Sequence, residues 1–236
     1  MTTQAHHPVQ LVQSSAESLE NKIRRVGVST GYMTDARCNW KELIRRATSF
    51  STEAIEISAL SQGELPSFLS WAAQGRPRGF GYISVHGPTK SITLPPLGLA
   101  AALATIPTWV ESIVLHPDTL GDPAAFRGLG SRLVIENMDF RKRSGRTVDD
   151  LDEIFHQLPE AGFCLDLAHA RSVDPSLRLA HSFIDRFHTR LRQFHVSSLD
   201  EEGHHITLLD DDVRAYQPLL DRCPRAPIIL EAAPHS

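Results

Sequence analysis

Six short apolar runs in this 236-residue chain end on, or within one residue of, a side chain that can bind a metal ion or move a proton. They are Tyr82–His86, Ser112–His116, Leu133–Glu136, Phe163–Asp166, Gln193–Val196 (with His195) and Ile228–Glu231. Taken singly, each is an ordinary polar group. In series they point to a site, because a carboxylate or imidazole closing an apolar run is costly to bury without a partner. His169 follows Asp166 by three and leaves the same strand end. Further on stands the pair His204–His205, of which His205 is favoured because it lies nearer the apolar Ile206 and Leu208; a solvated loop is an equal alternative for that pair. Imidazoles and carboxylates without thiolates suit Zn²⁺, Mn²⁺ or Fe²⁺ better than Mg²⁺ or Ca²⁺. There are more such groups than one tetrahedral ion takes, so within an expected range of one to three ions the residues favour two or more, with a carboxylate such as Glu136 bridging.

These residues share a pocket only if the chain brings the run ends together. Two earlier runs, Val26–Thr30 and Ala54–Ser58, make eight candidate strands. Segments of helical spacing separate them, among them Trp40–Phe50, Leu97–Ala104, Val148 to about Leu158, and Ser176–Phe187. Eight βα units predict a single, compact (β/α)8 TIM barrel over residues 26–236, whose strand C-terminal ends converge on one mouth. Too few residues follow Glu231 for an eighth helix, so residues 1–25 are read as a tail or a helix (over 9–22) packing on the barrel. Trp40 could wall the pocket or pack a helix, and Glu56 could face the pocket or pair inside the barrel. His156, His181 and His188 fall on helices facing away from the mouth; His6, His7 and His235 lie in tails.

Composition narrows the class. An apolar content of 41% supports a large core. Lys plus Arg number 24 against 28 Asp plus Glu, a formal charge of −4, which disfavours nucleic acid as partner. The N-terminus lacks the features of a signal peptide, and the longest apolar-rich run, Leu97–Ile106, is too short to span a bilayer, so a soluble cytoplasmic protein with no membrane partner is expected. Cys38, Cys164 and Cys223 form neither a disulfide framework nor a metal knuckle.

The motifs resemble those of the xylose isomerase-like barrels, which include sugar isomerases and epimerases and the apurinic-site endonuclease IV family. The resemblance spans nearly the whole chain. It rests on VHGP around His86, LHP around His116, IEN around Glu136, CLDLAHA with Asp166 and His169, FHVS with His195, and LEAAP with Glu231. In the endonuclease branch it implies one ion on His86, His116 and Glu136, and a second on Glu136, Asp166, His195 and Glu231. A third would use His169 and an Asp-x-His pair, where this chain reads Gly203-His204-His205. The sugar isomerase branch implies one ion on Glu136, Asp166, His195 and Glu231, with the two glutamates shuttling protons.

Between the fifth strand and its helix lies a basic stretch in which Arg141, Lys142 or Arg146, with backbone amides at the helix N-terminus, could bind a substrate carboxylate or phosphate; a solvated loop balanced by Asp149, Asp150 and Asp152 is the alternative. The expected activity is isomerase- or epimerase-like proton transfer on a small sugar or keto/hydroxy substrate, with Glu136, Glu231 and His169 as catalytic groups. The alternative is an endonuclease IV-like metallohydrolase of phosphate esters, and a non-catalytic binding module is the third reading. A small-molecule substrate is the expected partner; association with further copies of the chain is left open.

Overall fold

A computed structural model describes residues 24–234. The expected helix over 9–22 lies outside the described residues. The strands in chain order are β1 Val26–Ser29, β2 Ala54–Ser58, β3 Tyr82–His86, β4 Ser112–Leu115, β5 Leu133–Glu136, β6 Gly162–Asp166, β7 Leu191–Val196, β8 Ser198–Leu199, β9 His205–Ile206 and β10 Ile228–Leu230. β1 to β7 and β10 form a closed parallel barrel, with β10 between β7 and β1. The expected (β/α)8 architecture is therefore the observed one, and the predicted strands match to within two residues at each end.

Six of the inter-strand connections carry α-helices: α1 Trp40–Phe50, α2 Leu65–Ala72, α3 Pro96–Ala104, α4 Val148–Gln157, the consecutive α5 Leu167–Val173 and α6 Arg178–Phe187, and α7 Asp210–Asp221. Between β4 and β5 a 3-10 segment, Pro123–Arg132, takes the place of an α-helix and is kinked at Gly130. Local chemistry explains the clearest boundaries. Asn39 caps α1 through the amide of Glu42, and Thr147 and Asp150 form a reciprocal capping box at α4. After β10 the described residues run to Pro234 without a further helix.

Within each strand the side chains alternate between two environments. Val28, Ile55, Ile57, Ile83, Val85, Ile113, Leu115, Ile135, Phe163, Leu165 and Phe194 belong to one apolar core shared with the helices. Trp40 is part of it, set edge-on to Phe68 at 5.4 Å, so it packs a helix and does not wall the mouth. The intervening residues point into the barrel, where two small apolar groups, Ala54–Tyr82–Ile229 and Val114–Val134–Cys164, share the interior with buried polar side chains. Because the alternation has a period of two, residues 84 and 86, 134 and 136, 164 and 166, and 193 and 195 lie on the inward face. Among the described residues no helix is long and apolar enough to cross a membrane.

Candidate metal centre

The last inward position of each strand from β3 onward delivers the predicted series to one mouth. His86, Glu136 and Asp166 close β3, β5 and β6; His195 is the penultimate residue of β7; His116 and Glu231 directly follow β4 and β10. They form overlapping sets whose ligand atoms lie within 4.8 Å of one another: His86, His116 and Glu136; Glu136, Asp166, His195 and Glu231; Asp166, His169 and His205. Glu136 is the hub. Its Oε2 lies 3.2 Å from His86 Nε2, 3.5 Å from His116 Nε2 and 3.4 Å from His195 Nδ1, and its Oε1 lies 3.2 Å from His169 Nδ1.

The backbone and neighbouring side chains orient these rings. Asp166 caps α5 by accepting from the amide of His169 at 2.7 Å, so the helix start aims His169 at the cluster. Asn137 joins the ends of β5 and β6: its amide side chain bonds both the N–H and the carbonyl of Asp166, and its own carbonyl is 2.9 Å from His169 Nδ1. His86 Nδ1 is 3.0 Å from the carbonyl of Gly87, and His205 Nδ1 is 2.7 Å from Ser197 Oγ. In His86 and His205 one nitrogen is occupied by a fixed oxygen, which leaves the other to face the cluster, the arrangement found around metal-binding imidazoles. His169 instead turns Nδ1 to both Asn137 and Glu136, with its Nε2 3.8 Å from Asp139 Oδ2.

His205 arrives by an element that periodicity did not reveal. β8 and β9 form a two-stranded antiparallel hairpin after β7, and His205 on β9 places its Nε2 3.3 Å from Glu231 Oε2. His204 points outward to Asp200 and is exposed. Asp212 on α7, bonded to Arg171 and to Ser198, ties the hairpin to α5 and α7. At the turn, Gly203 has φ +81°, and a Cβ there would fall 2.8 Å from Nε of Arg141. The guanidinium thus fills the space that a side chain at 203, such as the aspartate of an Asp-x-His pair, would need.

The basic stretch is more internally paired than its sequence suggests. Arg141 forks onto the buried Asp139 and donates to the carbonyl of Glu202. Lys142 pairs with Asp118 at 2.6 Å. The Asp150 carboxylate accepts from the amides of Arg146 and Thr147, so those two amides of the α4 start are taken by the chain itself. Asp152 pairs with Arg186 and not with the loop. Nε of Arg146 is buried without a hydrogen-bond partner. His156 and His181 are exposed on helices and His188 is exposed just past the end of α6, all away from the cluster.

Electrostatics divide the site. Burial raises the Glu136 carboxyl, but the imidazoles of His195, His116 and His169 outweigh it and hold the group well below the usual carboxylate range. Burial lifts Glu231 to about 8, with the Glu136, Asp166 and Glu56 carboxylates adding to the rise against His195. Burial disfavours charge on His86 and His169, yet neighbouring carboxylates prevail, with Glu136 foremost for His86 and Asp166 for His169, and raise them to about 9 and about 10. Burial depresses His116, and takes His205 down to about 4.

The donor set fits a divalent cation. Nδ1 of His195 and Oδ2 of Asp166 are buried and make no hydrogen bond, although Nδ1 lies 3.2 Å from Glu231 Oε1. The unpartnered Asp166 oxygen among further carboxylates is unfavourable as it stands and becomes favourable around a positive ion, which would also replace the second proton that the surrounding anionic groups favour on His195.

Neither a protein-family model nor a curated protein sequence matches this chain. Solved structures are similar in fold. Endonuclease IV from Thermus thermophilus is 20% identical, with TM-score 0.54 over 90% of this chain and 93% of that one. D-psicose 3-epimerase, determined in the presence of D-fructose, is 14% identical, with TM-score 0.51 over 89% of this chain and 85% of that one. An Anabaena variabilis protein classed as a sugar phosphate isomerase/epimerase is 11% identical, with TM-score 0.54 over 89% and 84%. At these identities the likeness establishes the (β/α)8 barrel fold and not the reaction.

Proposed function

We propose that this xylose isomerase-like barrel is a divalent-metal-dependent enzyme and that it hydrolyses a phosphate ester on a small substrate. The observation that carries the reading is the position of Glu136, a single carboxylate within 3.5 Å of four imidazoles and a member of two adjoining ligand sets. His86, His116 and Glu136 would hold one ion, and Glu136, Asp166, His195 and Glu231 another; Asp166, His169 and His205 offer a further seat. Ions bound there would supply Lewis acidity to a phosphoryl oxygen and acidify water. The chain's own groups then have separate tasks. Glu136 and Glu231 would both serve as ionised ligands, Glu136 shared between the two sets. Arg146, whose Nε is without a partner, and Lys142, in its partly exposed pair with Asp118, would hold the anionic part of the substrate, while Arg141 stays engaged with Asp139 and the Glu202 carbonyl. The net charge of −4 supports a small molecule over nucleic acid.

One observation favours a second reading, isomerase- or epimerase-like proton transfer on a sugar or keto/hydroxy substrate. Glu136 and Glu231 share one ligand set with Asp166 and His195, so two carboxylates would stand beside a substrate held there, and without a cation they are driven apart, one low and one to about 8. His169, raised to about 10, adds a proton donor beside them. The deciding experiment combines metal content with turnover. Two or more ions per chain with release of 4-nitrophenol from a nitrophenyl phosphate ester support hydrolysis. About one ion with deuterium uptake from D₂O into a ketose supports proton transfer, and a chain that binds no zinc, manganese or iron after reconstitution overturns both.

A further inference from the structure

Glu56 lies mid-way along β2, turned into the barrel one layer below the mouth and fully buried. Its Oε2 accepts from Ser84 Oγ at 3.0 Å and from Gln193 Nε2 at 2.7 Å, and lies 3.1 Å from Nε2 of His195. Gln193 is held in this orientation because the Tyr82 hydroxyl donates to its Oε1 at 2.8 Å. Burying a carboxylate inside a barrel is expensive and is sustained only by such a set of donors. That expense calls for a reason.

The reason lies in how His195 carries its proton. A neutral imidazole has one N–H. On Nε2, that proton is donated to Glu56, and Nδ1 presents a lone pair toward Glu136 and Glu231, 3.4 and 3.2 Å away. On Nδ1, the lone pair at Nε2 would face the Glu56 carboxylate. The Gln193 amide, with Nε2 at 2.7 Å, can donate to that lone pair and so favours the second form. Glu56 and Gln193 therefore pull the ring in opposite directions, and the charged partner is the stronger. On the nitrogen turned away from the cluster, His86 and His205 meet neutral oxygens, from Gly87 and Ser197, whereas His195 meets a carboxylate.

We propose that Glu56 is a positioning residue: it takes the Nε2 proton of His195 and thereby turns the Nδ1 lone pair onto the cation seat formed with Glu136, Asp166 and Glu231. The inference rests on the metal reading above. It identifies a residue on a strand that contributes no member to the predicted ligand series.

The test measures zinc affinity by competition with a chromophoric chelator, zinc stoichiometry, and the low-field Nε2–H resonance of His195 in the zinc-loaded protein, for wild type, Glu56→Gln and Glu56→Asp. Glu56→Gln is expected to keep the stoichiometry, weaken zinc roughly 10- to 100-fold, and move or broaden away the Nε2–H resonance. Glu56→Asp, which keeps the charge one methylene shorter, recovers part of the affinity and the resonance, and it decides the matter alone should the glutamine variant not fold. Unchanged affinity and resonance in the variants, with zinc bound by wild type, overturn the inference and leave the metal reading standing. Loss of a whole ion equivalent also overturns it, by making Glu56 a ligand; Glu56, His86 and Glu231 have ligand atoms within 4.8 Å. A wild-type chain that binds no zinc overturns both.

Discussion

Along a single barrel strand, adjacent residues belong to different chemical worlds. On β3, Ile83 and Val85 join the apolar core beneath the helices, while Ser84 and His86 face a polar interior that bonds to Glu56 and Glu136. The same division runs around the barrel: Phe163 and Leu165 against Cys164 and Asp166, Phe194 and Val196 against Gln193 and His195. The outward set is interchangeable in chemistry and demanding in shape. The inward set is the reverse, since each polar atom must meet a named partner. The packing core and the candidate metal centre thus lie on opposite faces of one sheet, and substitutions on the two faces should fail in different ways.

The largest effect is expected inside. Glu136→Gln removes the charge common to two ligand sets and should lower turnover by about 10³-fold or more, the order found when a group balancing transition-state charge is lost. Far-ultraviolet circular dichroism should stay that of wild type; a variant that remains active would break the division. On the outer face, Phe163 meets Phe155 and Phe187 edge-on at 6.2 and 5.4 Å. Phe163→Ala should cost about 3–5 kcal/mol in denaturant unfolding while the folded fraction keeps its full metal complement.

A pH series sharpens the contrast further. His86 and His169 are raised to about 9 and about 10 from a usual 6.5, so the folded chain holds their protons more tightly than the unfolded chain. Their contribution to stability is complete below about pH 6.5 and is lost as pH rises through 9 to 10. Glu231, raised to about 8 from 4.5, acts in the same direction between those values. Metal-free protein should therefore melt at progressively lower temperature from pH 6.5 to 9, whereas zinc affinity should climb over that range as protons are displaced. A flat metal-free profile would contradict the charge arrangement of the inner face. The smallest effect belongs to the rim. Lys142→Ala, which breaks a half-exposed pair with Asp118, should change stability by about 1 kcal/mol or less. If the loop binds an anionic substrate, KM rises with kcat nearly unchanged.

Much of this was legible in the chain because strand and helix patterns are local. The β-branched runs and the Thr147–Asp150 box mark their elements without tertiary information. The ligand series was legible for the same reason: each residue stands at the end of an apolar run, and the barrel topology does the rest. Other features were not. The hairpin carrying His205 is only two residues long on each side, too short for an alternation to register. Asn137 and Ser197 are polar residues beside strand ends, and nothing in their spacing tells that they orient His169 and His205.

By itself, then, the sequence determined the eight-unit order, the alternation that sends aliphatic side chains outward, and the identity of the residues that meet at the mouth. Only the tertiary structure decided which nitrogen of each imidazole faces inward, that Arg141 is clamped between Asp139 and the Glu202 carbonyl over Gly203, that Trp40 packs on Phe68, and that Glu56 reaches His195 across the barrel. The physical reason is range. Patterning reflects a residue's own solvent preference and its near neighbours, whereas a hydrogen bond between positions 56 and 195 exists only once the barrel has closed and β10 has brought β7 round to the β1 side.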